Sequence, residues 1–402
     1  MARKNAVPTT DFDQDSAAFA ADPWSKYDEL RSTCPVAHTD AHGGFWVLST
    51  YGDVVKVAKD DVTFSSVPTT VIPDSGVYNL IPLQSDPPDL QRYRAALAPF
   101  FTPQAMQEQE PRIRRFTTDC IDAFIGRGHC DLVTELANPV PSMTALEMIG
   151  FDPEDWHDFA GPLHQLSYFA DGSAERNQAL EDIARIDGRI ETAISERRRQ
   201  PRNDAITRLV EYETDGLAFT DLELHGLVKM LVFGGLDTTM ASMSNALLYL
   251  AENPQQRQRL IDEPALIPGA IEELLRYEAP VHAFARKVMT DTEIGGQPIK
   301  AGEKVYMLWA SANRDSDRFE NPDDVDFERR PNRHLTFGVG GHRCLGAPLA
   351  RLEMKIMLEE VLQRLPDFSI EPEGVRHPIT VTIIWGRTSL PATFTPGPRS
   401  GQ

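Results

Sequence analysis

The stretch Phe337-Gly338-Val339-Gly340-Gly341-His342-Arg343-Cys344-Leu345-Gly346 carries one thiol in a glycine-rich loop, and a helical run, Leu345 to Leu365, follows at once. A cysteine at the mouth of a helix meets free backbone N–H groups and the positive end of the helix dipole, and both favour the thiolate. Gly338, Gly340 and Gly341 permit a tight turn whose backbone can lie against a flat ligand, and Gly346 permits the same approach from the other side. A thiolate shielded in this way suits an axial iron–sulfur bond, in which sulfur must donate electron density without being protonated or oxidised. A buried structural cysteine would explain Cys344 alone, but not the glycines, Phe337 and His342 together.

A second group of reactive types, Gly234-Gly235-Leu236-Asp237-Thr238-Thr239, sits mid-way along a longer helical run. Thr220-Asp221-Leu222-Glu223 is a capping box and Asn253-Pro254 a stop signal, so the helix between them spans roughly 50 Å. Its centre is composed of poor helix formers; each glycine costs about 1 kcal/mol relative to alanine. A threonine hydroxyl also competes for the carbonyl one turn back. The composition predicts a local widening that holds water or dioxygen beside a flat cofactor. The plainer alternative is glycines for close helix packing and a threonine bonded within its own helix.

The cysteine loop matches every fixed position of F-G-x-G-x-H-x-C-x-G. With it the chain, from about Asp22 to Pro391, resembles the cytochrome P450 family. The resemblance implies a mainly α fold with small β-sheets and a long central helix across the haem. It implies haem b as cofactor, Cys344 as its metal ligand, and Phe337, Gly338, Gly346 and Gly234 in contact with it. The central helix resembles the family's acid–alcohol pair, A/G-G-x-D/E-T. By that match Thr238 steadies the activated oxygen and Asp237 relays protons from solvent, the two catalytic roles.

Further motifs support the match. Glu273-Leu274-Leu275-Arg276 puts a carboxylate and a guanidinium on one helix face, a spacing that is usually a surface ion pair. It resembles the family's E-x-x-R, where a downstream arginine, here Arg329, closes a structural triad. Haem carries two propionates, which call for cations with directional donors. Arg94, Arg286 and His342 occupy the matching positions. Leu90 departs from the pattern D-P-P-x-H-x-x-x-R, so one propionate contact is expected to be lost. Arg92, Arg343 and Arg351 are expected to cluster on the thiolate side as a landing patch for an acidic ferredoxin.

The elements that must position these groups are legible as patterns. Strand then turn is expected at Phe45–Ser49, with a short helix over 54–58. Helices are expected over 104–124, 174–199 and 270–277, and short strands over 380–385 and 389–394. Residues 66–84, rich in proline, read as a long loop with apolar members, a lid over a pocket. The resemblance places the pocket wall at Val71, Ile72, Val77, Phe233, Val281, His282, Phe284, Ile383 and Ile384. With Asp74 as the loop's one charge and no cation to grip a carboxylate, the expected substrate is neutral and lipophilic: a terpenoid, steroid or alkyl aromatic. His282 offers one hydrogen bond or, more ordinarily, packs behind the wall.

Composition sets the bounds. The chain has 402 residues, 41% apolar, with 40 Lys and Arg against 60 Asp and Glu, a formal charge of −20. That balance argues against nucleic-acid partners and against anionic membrane. Residues 1–15 are polar, so neither a signal peptide nor an anchor is expected there. Four cysteines without paired spacing suit a reducing cytoplasm. The expected layout is a flexible N-terminus over 1–15, one haem-thiolate domain over 16–394 and a flexible C-terminus over 395–402.

The function expected from the resemblance is a monooxygenase inserting one atom of O2 into a C–H bond, with electrons from ferredoxin and ferredoxin reductase. One alternative is a peroxide-driven peroxygenase on the same fold, whose members lack the acid–alcohol pair present here. Another is a non-catalytic haem or metal-binding protein, with Cys344, His342 and His334 as zinc ligands and no fourth ligand at suitable spacing.

Overall fold

Local signals fix most of the helices. In a computed structural model that describes residues 7–169, 172–214, 216–381 and 384–400, the principal helices are α1 (Asp89–Leu97), α2 (Pro103–Phe124), α3 (Pro139–Ile149), α4 (Trp156–Tyr168), α5 (Ala174–Arg199), α6 (Asp221–Glu252), α7 (Ile267–Tyr277) and α8 (Ala347–Arg364). Thr220 and Glu223 form the reciprocal capping box of α6, and Asn253 closes it. Such a cap contributes about 1 kcal/mol, enough to fix where a helix starts but not to hold 32 residues together. Burial does that: Leu227, Val228, Val232, Leu236, Met243 and Leu247 are all at or near zero exposure along its length.

One larger sheet flanks the helices. Strands β1 (Val36–Thr39), β2 (Phe45–Leu48), β3 (Phe64–Ser65), β4 (Ala283–Val288) and β5 (Lys304–Leu308) pair in the order β1-β2-β5-β4-β3. β5 runs parallel to β2 and antiparallel to β4, with Val305 opposite Arg286. Because side chains alternate along a strand, Phe284 and Arg286 share one face of β4, and that face meets α6 across a cavity.

α7 is tied to the segment that precedes the cysteine loop. Glu273 accepts from Arg276 at 2.8 Å, from Arg329 at 3.0 Å, from Asn332 at 3.0 Å and from the backbone N–H of Asp326 at 2.9 Å. Glu273 and Arg276 are fully buried, so this carboxylate keeps its charge only because its lone pairs are filled. Arg276 and Arg329 also donate to the carbonyl of Asp324, which pins the 320–326 loop.

Three expectations differ from the structure. Residues 7–15 are packed rather than frayed: Phe12 is 1% exposed among Phe19, Phe45 and Tyr306, and Thr9 bridges His38. Residues 395–400 are likewise held, by Thr395 on Asp367 and Ser400 on Asp122. A terminus that reads as polar is fixed by the few apolar or hydrogen-bonding side chains in it. The strand expected at 380–385 is absent from its described residues. Val381 and Trp385 there donate singly to Gln14 and Pro280, and only Pro391–Thr393 of the second run is a strand.

Candidate active site

The cavity lies between the cysteine loop, the middle of α6 and the face of β4. Cys344 stands three residues before α8, its backbone N–H donating to Phe337 at 2.8 Å, so the loop folds back on itself. Gly338 adopts φ +66°, a conformation that a side chain would strain, and both it and Gly346 line the cavity. Gly340 and Gly341 have a different reason to be glycine. A Cβ on Gly340 would meet the Ala58 carbonyl at 2.5 Å, and one on Gly341 would strike Asp61. They let the loop pack against the end of the helix Tyr51–Ala58 and the turn after it, not against the cavity.

Cys344 is exposed on the cavity side and enclosed by protein elsewhere. Enclosure pushes its thiol above the ordinary value, while the backbone N–H groups of Gly346 and Ala347 and the charges of Arg94 and Arg351 pull the other way. The lowering expected at a helix mouth is therefore present but outweighed.

Two guanidiniums and an imidazole converge on the same cavity. Arg286 is 2% exposed; burial lowers its pKa to about 10 against the pull of Asp61 and Asp86, so it stays charged at neutral pH. Arg94 is lowered by burial, offset by Cys344, and no described residue forms a hydrogen bond or ion pair with its guanidinium. His342 differs from expectation. Burial, with Arg286 and Arg94 nearby, pushes it down to about 3, so it is neutral and serves as a hydrogen-bonding group, not as a cation; its Nε2 lies 3.0 Å from Ser66 Oγ. A flat cofactor with carboxylate arms fits this donor set: two charged arginines for the arms, a thiol for the metal, and glycine backbone for the ring. Leu90 is fully buried, in reach of a Cβ on Gly341, and takes no place on the cavity wall.

On the opposite wall stand Gly234, Gly235, Thr238, Thr239 and Ser242 of α6. The helix runs without break here, so the predicted widening is not seen. Thr238 Oγ1 donates to the Gly234 carbonyl at 3.0 Å, and a Cβ on Gly235 would meet Ala145 of α3 at 2.9 Å. Close crossing with α3 holds the ladder where propensity alone would loosen it. Asp237 is 3% exposed and does not line the cavity. It faces α4, with Oδ1 at 2.7 Å from His164 Nε2 and Oδ2 at 3.4 Å from Ser167 Oγ. His164 carried no sequence signal. It follows only from α4 crossing α6 at this turn, with Tyr168 stacked on its ring at 5.3 Å.

The pocket residues divide. Val281 and Phe284 line the cavity. From the 66–84 loop the lining residues are Pro82 and Leu83, whereas Ile72 and Val77 are buried in separate hydrophobic cores; Val71 is buried and off the wall. Apolar residues in a loop look alike in sequence whether they fill a core or line a cavity. Phe233 packs against the main core with the Lys229 ammonium over its ring at 5.7 Å, and Ile384 joins that core. His282 packs among Trp24, Tyr27 and Trp385, with Nδ1 at 2.9 Å from the Tyr27 hydroxyl. Ile383 lies outside the described residues.

The basic patch is mostly spent within the fold. Arg92 pairs with Glu223 at 2.7 Å and Arg351 with Glu272 at 2.6 Å, leaving Arg343 exposed. Burial pushes Glu272 up, but Arg351 and His334 win and hold it at about 2. With His334 on Glu272 and His342 at Ser66, the zinc reading finds no support: among the described residues no three His, Cys, Asp or Glu side chains converge on a metal position.

A lone thiol facing an apolar cavity, across from a threonine on a long helix, belongs to the class of haem-thiolate enzymes. The comparisons carry this to a family: a cytochrome P450 profile matches residues 173–391. The chain is 33% identical to Cytochrome P450 130 of Mycobacterium tuberculosis, covering 94% of this chain and 98% of that one. It is 34% identical to the Steroid C26-monooxygenase of the same species, covering 93% and 94%. The solved structure of CYP109E1 from Bacillus megaterium with corticosterone superposes with a TM-score of 0.82 at 32% identity, covering 93% of this chain and 98% of that chain. This chain belongs to the cytochrome P450 family and is a P450 monooxygenase with haem b as cofactor. Among the described residues no helix is long and apolar enough to cross a membrane.

Proposed function

We propose that this enzyme inserts one oxygen atom of O2 into a C–H bond of a small, mainly apolar substrate of the terpenoid, steroid or alkyl aromatic kind. Its electrons come from a ferredoxin served by a ferredoxin reductase. The observation that carries the substrate class is the cavity wall. Pro82, Leu83, Leu97, Met148, Val281 and Phe284 line it, and its two arginines lie beside the cysteine loop, where the cofactor's carboxylates need them. The Mycobacterium relative named for steroid oxidation and the Bacillus structure holding corticosterone support the same choice.

Bound haem supplies the activation of dioxygen. Cys344 holds it through Sγ and shields that sulfur inside the loop. Arg94 and Arg286 clamp the carboxylate arms, with His342 adding a neutral hydrogen bond. The apolar wall excludes water from the reacting carbon. Thr238 donates to Gly234, and its oxygen is left as an acceptor that orders water on the cavity side. Protons reach it along α6: His164, with 17% of its side chain exposed, connects solvent to the buried Asp237, one residue from Thr238. Arg343, exposed beside the thiol, is the remaining contact for an acidic electron donor.

The test is reconstitution of the haem-loaded protein with ferredoxin, reductase and NAD(P)H, against hydrogen peroxide alone, on substrates chosen by the spin-state change on binding. Product in the electron-transfer arm from a neutral lipophilic compound is expected. Turnover with peroxide only, or binding confined to charged carboxylates, overturns the proposal.

A further inference from the structure

Glu272 of α7 precedes the buried Glu273 and belongs to a different charge set. Its carboxylate takes two nitrogens of Arg351 on α8, Nε at 2.6 Å and Nη2 at 2.8 Å, a forked pair that crosses from one helix to the other. On its other side His334 Nε2 lies 3.2 Å from Oε2. His334 Nδ1 accepts from the Thr336 N–H at 3.3 Å, so Nε2 carries the ring's hydrogen and the imidazole is neutral. Glu272 stays ionised: enclosure raises its pKa, but Arg351 and His334 bring it down to about 2. One positive and one negative charge therefore face each other, with a neutral donor behind the carboxylate.

The set closes on the cysteine loop. The Arg351 guanidinium carbon lies 4.3 Å from the centre of the Phe337 ring, and the His334 ring lies 5.9 Å from it. The Phe337 carbonyl accepts from the Cys344 N–H. Enclosure pushes the Cys344 thiol up, while the N–H groups of Gly346 and Ala347 and the charges of Arg94 and Arg351 pull it toward the thiolate. The two arginines differ in what answers them. Arg94 lines the cavity, where the cofactor's carboxylates meet it; Arg351 is off the cavity wall and is answered by Glu272. With 32% and 27% of their side chains exposed, Arg351 and Glu272 add little to stability as a pair. Their field falls on a sulfur enclosed by protein, where screening is weaker.

We propose that Glu272 is a positioning residue for the charge at the haem thiolate: by holding and neutralising Arg351 it keeps the electron donation of Cys344 high and the reduction potential of the iron low. Reduction adds one negative charge to the haem and its thiolate, so an unanswered positive charge beside them favours the ferrous form. This holds only with Cys344 as the haem ligand.

Spectroelectrochemical titration of the substrate-free, haem-loaded protein tests it. Glu272→Gln is expected to raise the potential and Arg351→Gln to lower it, each shifting the ferric–ferrous equilibrium about threefold to tenfold, about 30–60 mV for one electron. The double variant is expected to return close to the parent, and Glu272→Asp, which keeps the charge, to stay there. Should Glu272→Gln fail to hold haem, Arg351→Lys against Arg351→Gln decides: lysine keeps the parent potential and glutamine lowers it. A pair that only ties α7 to α8 would move both single variants the same way, with no cancellation in the double; that result, or no shift in either, overturns the proposal. The Soret band of the reduced, carbon-monoxide-bound form is recorded alongside. Its red shift in every variant shows the thiolate bond intact, so a failed charge effect is distinguished from a wrong ligand.

Discussion

Two stretches of one helix face two different cavities. In the middle of α6, Gly234 and Thr238 look onto an apolar space, and the threonine satisfies itself on its own backbone. Two turns further on, Asn245 looks onto a polar cleft and leaves its oxygen unsatisfied. Both stretches are helical, so secondary structure does not separate them. The difference is in what each wall presents. The central wall is mainly apolar, with Arg94 and Arg286 beside the cysteine loop and with Glu353, whose carboxyl burial pushes up, also on it. The terminal wall is mainly polar and charged, with Asn245, Glu252, Glu278, Asp323, Asp324 and Arg387 on it.

The largest effect should come from severing the scaffold that ties α7 to the 320–326 loop, which lies under both cavities. Glu273→Gln leaves Arg276 and Arg329 without their carboxylate, which should cost about 3–5 kcal/mol by denaturant unfolding and reduce haem content. If the variant is as stable as the parent, the buried cluster is not what ties α7 to the cysteine loop. Next comes the proton path. Thr238→Ala should keep electron consumption but send most of it to hydrogen peroxide, lowering product per electron about tenfold to a hundredfold. Glu278→Gln, at the other end of α6, should leave that ratio unchanged. Loss of coupling in both would mean the two ends are not independent.

A smaller effect is expected at His164→Phe, which removes the link from Asp237 to solvent. Turnover should fall several-fold with a larger solvent isotope effect and little change in substrate binding. An unchanged isotope effect removes His164 from the path.

Acid stability gives a fourth handle. His282 is buried and pushed from 6.5 down to about 3 by enclosure, with Arg314 and Arg387 adding to it. The unfolded chain therefore binds a proton that the folded one refuses. Stability from this residue is intact above 6.5 and falls by about 1.4 kcal/mol per pH unit below it, down to about pH 3. His282→Gln should flatten that part of the melting-temperature profile; an unaltered slope would place the acid sensitivity elsewhere. The smallest change is expected from Leu90→His, which restores the family's usual residue at a packed position. Haem retention should change by no more than a few-fold, because Leu90 fills space beside Gly341 and does not touch the cavity.

Short-range patterns were readable without coordinates. The capping box of α6, the stop at Asn253-Pro254 and the Glu273–Arg276 spacing all depend on neighbours within one or two turns. The cysteine loop was readable because its chemistry and its turn use the same residues. What could not be read depends on distant parts of the chain meeting. His164 acquires its role only from the α4–α6 crossing, and Ile72 and Val77 look like pocket residues until the core claims them. His342 loses its charge to burial, with Arg286 and Arg94, 56 and 248 positions away in the numbering, adding to it. Phe12 holds the N-terminal segment through partners on strands that follow it.

The most direct test is the absorption spectrum of the reduced, carbon-monoxide-bound protein, taken for the parent and for Cys344→His. The parent is expected to show the strongly red-shifted Soret band of a thiolate-held haem, and the variant to lose it. A parent without haem, or a variant that keeps the shifted band, would contradict the assignment of Cys344 as the bond on which the whole site is built.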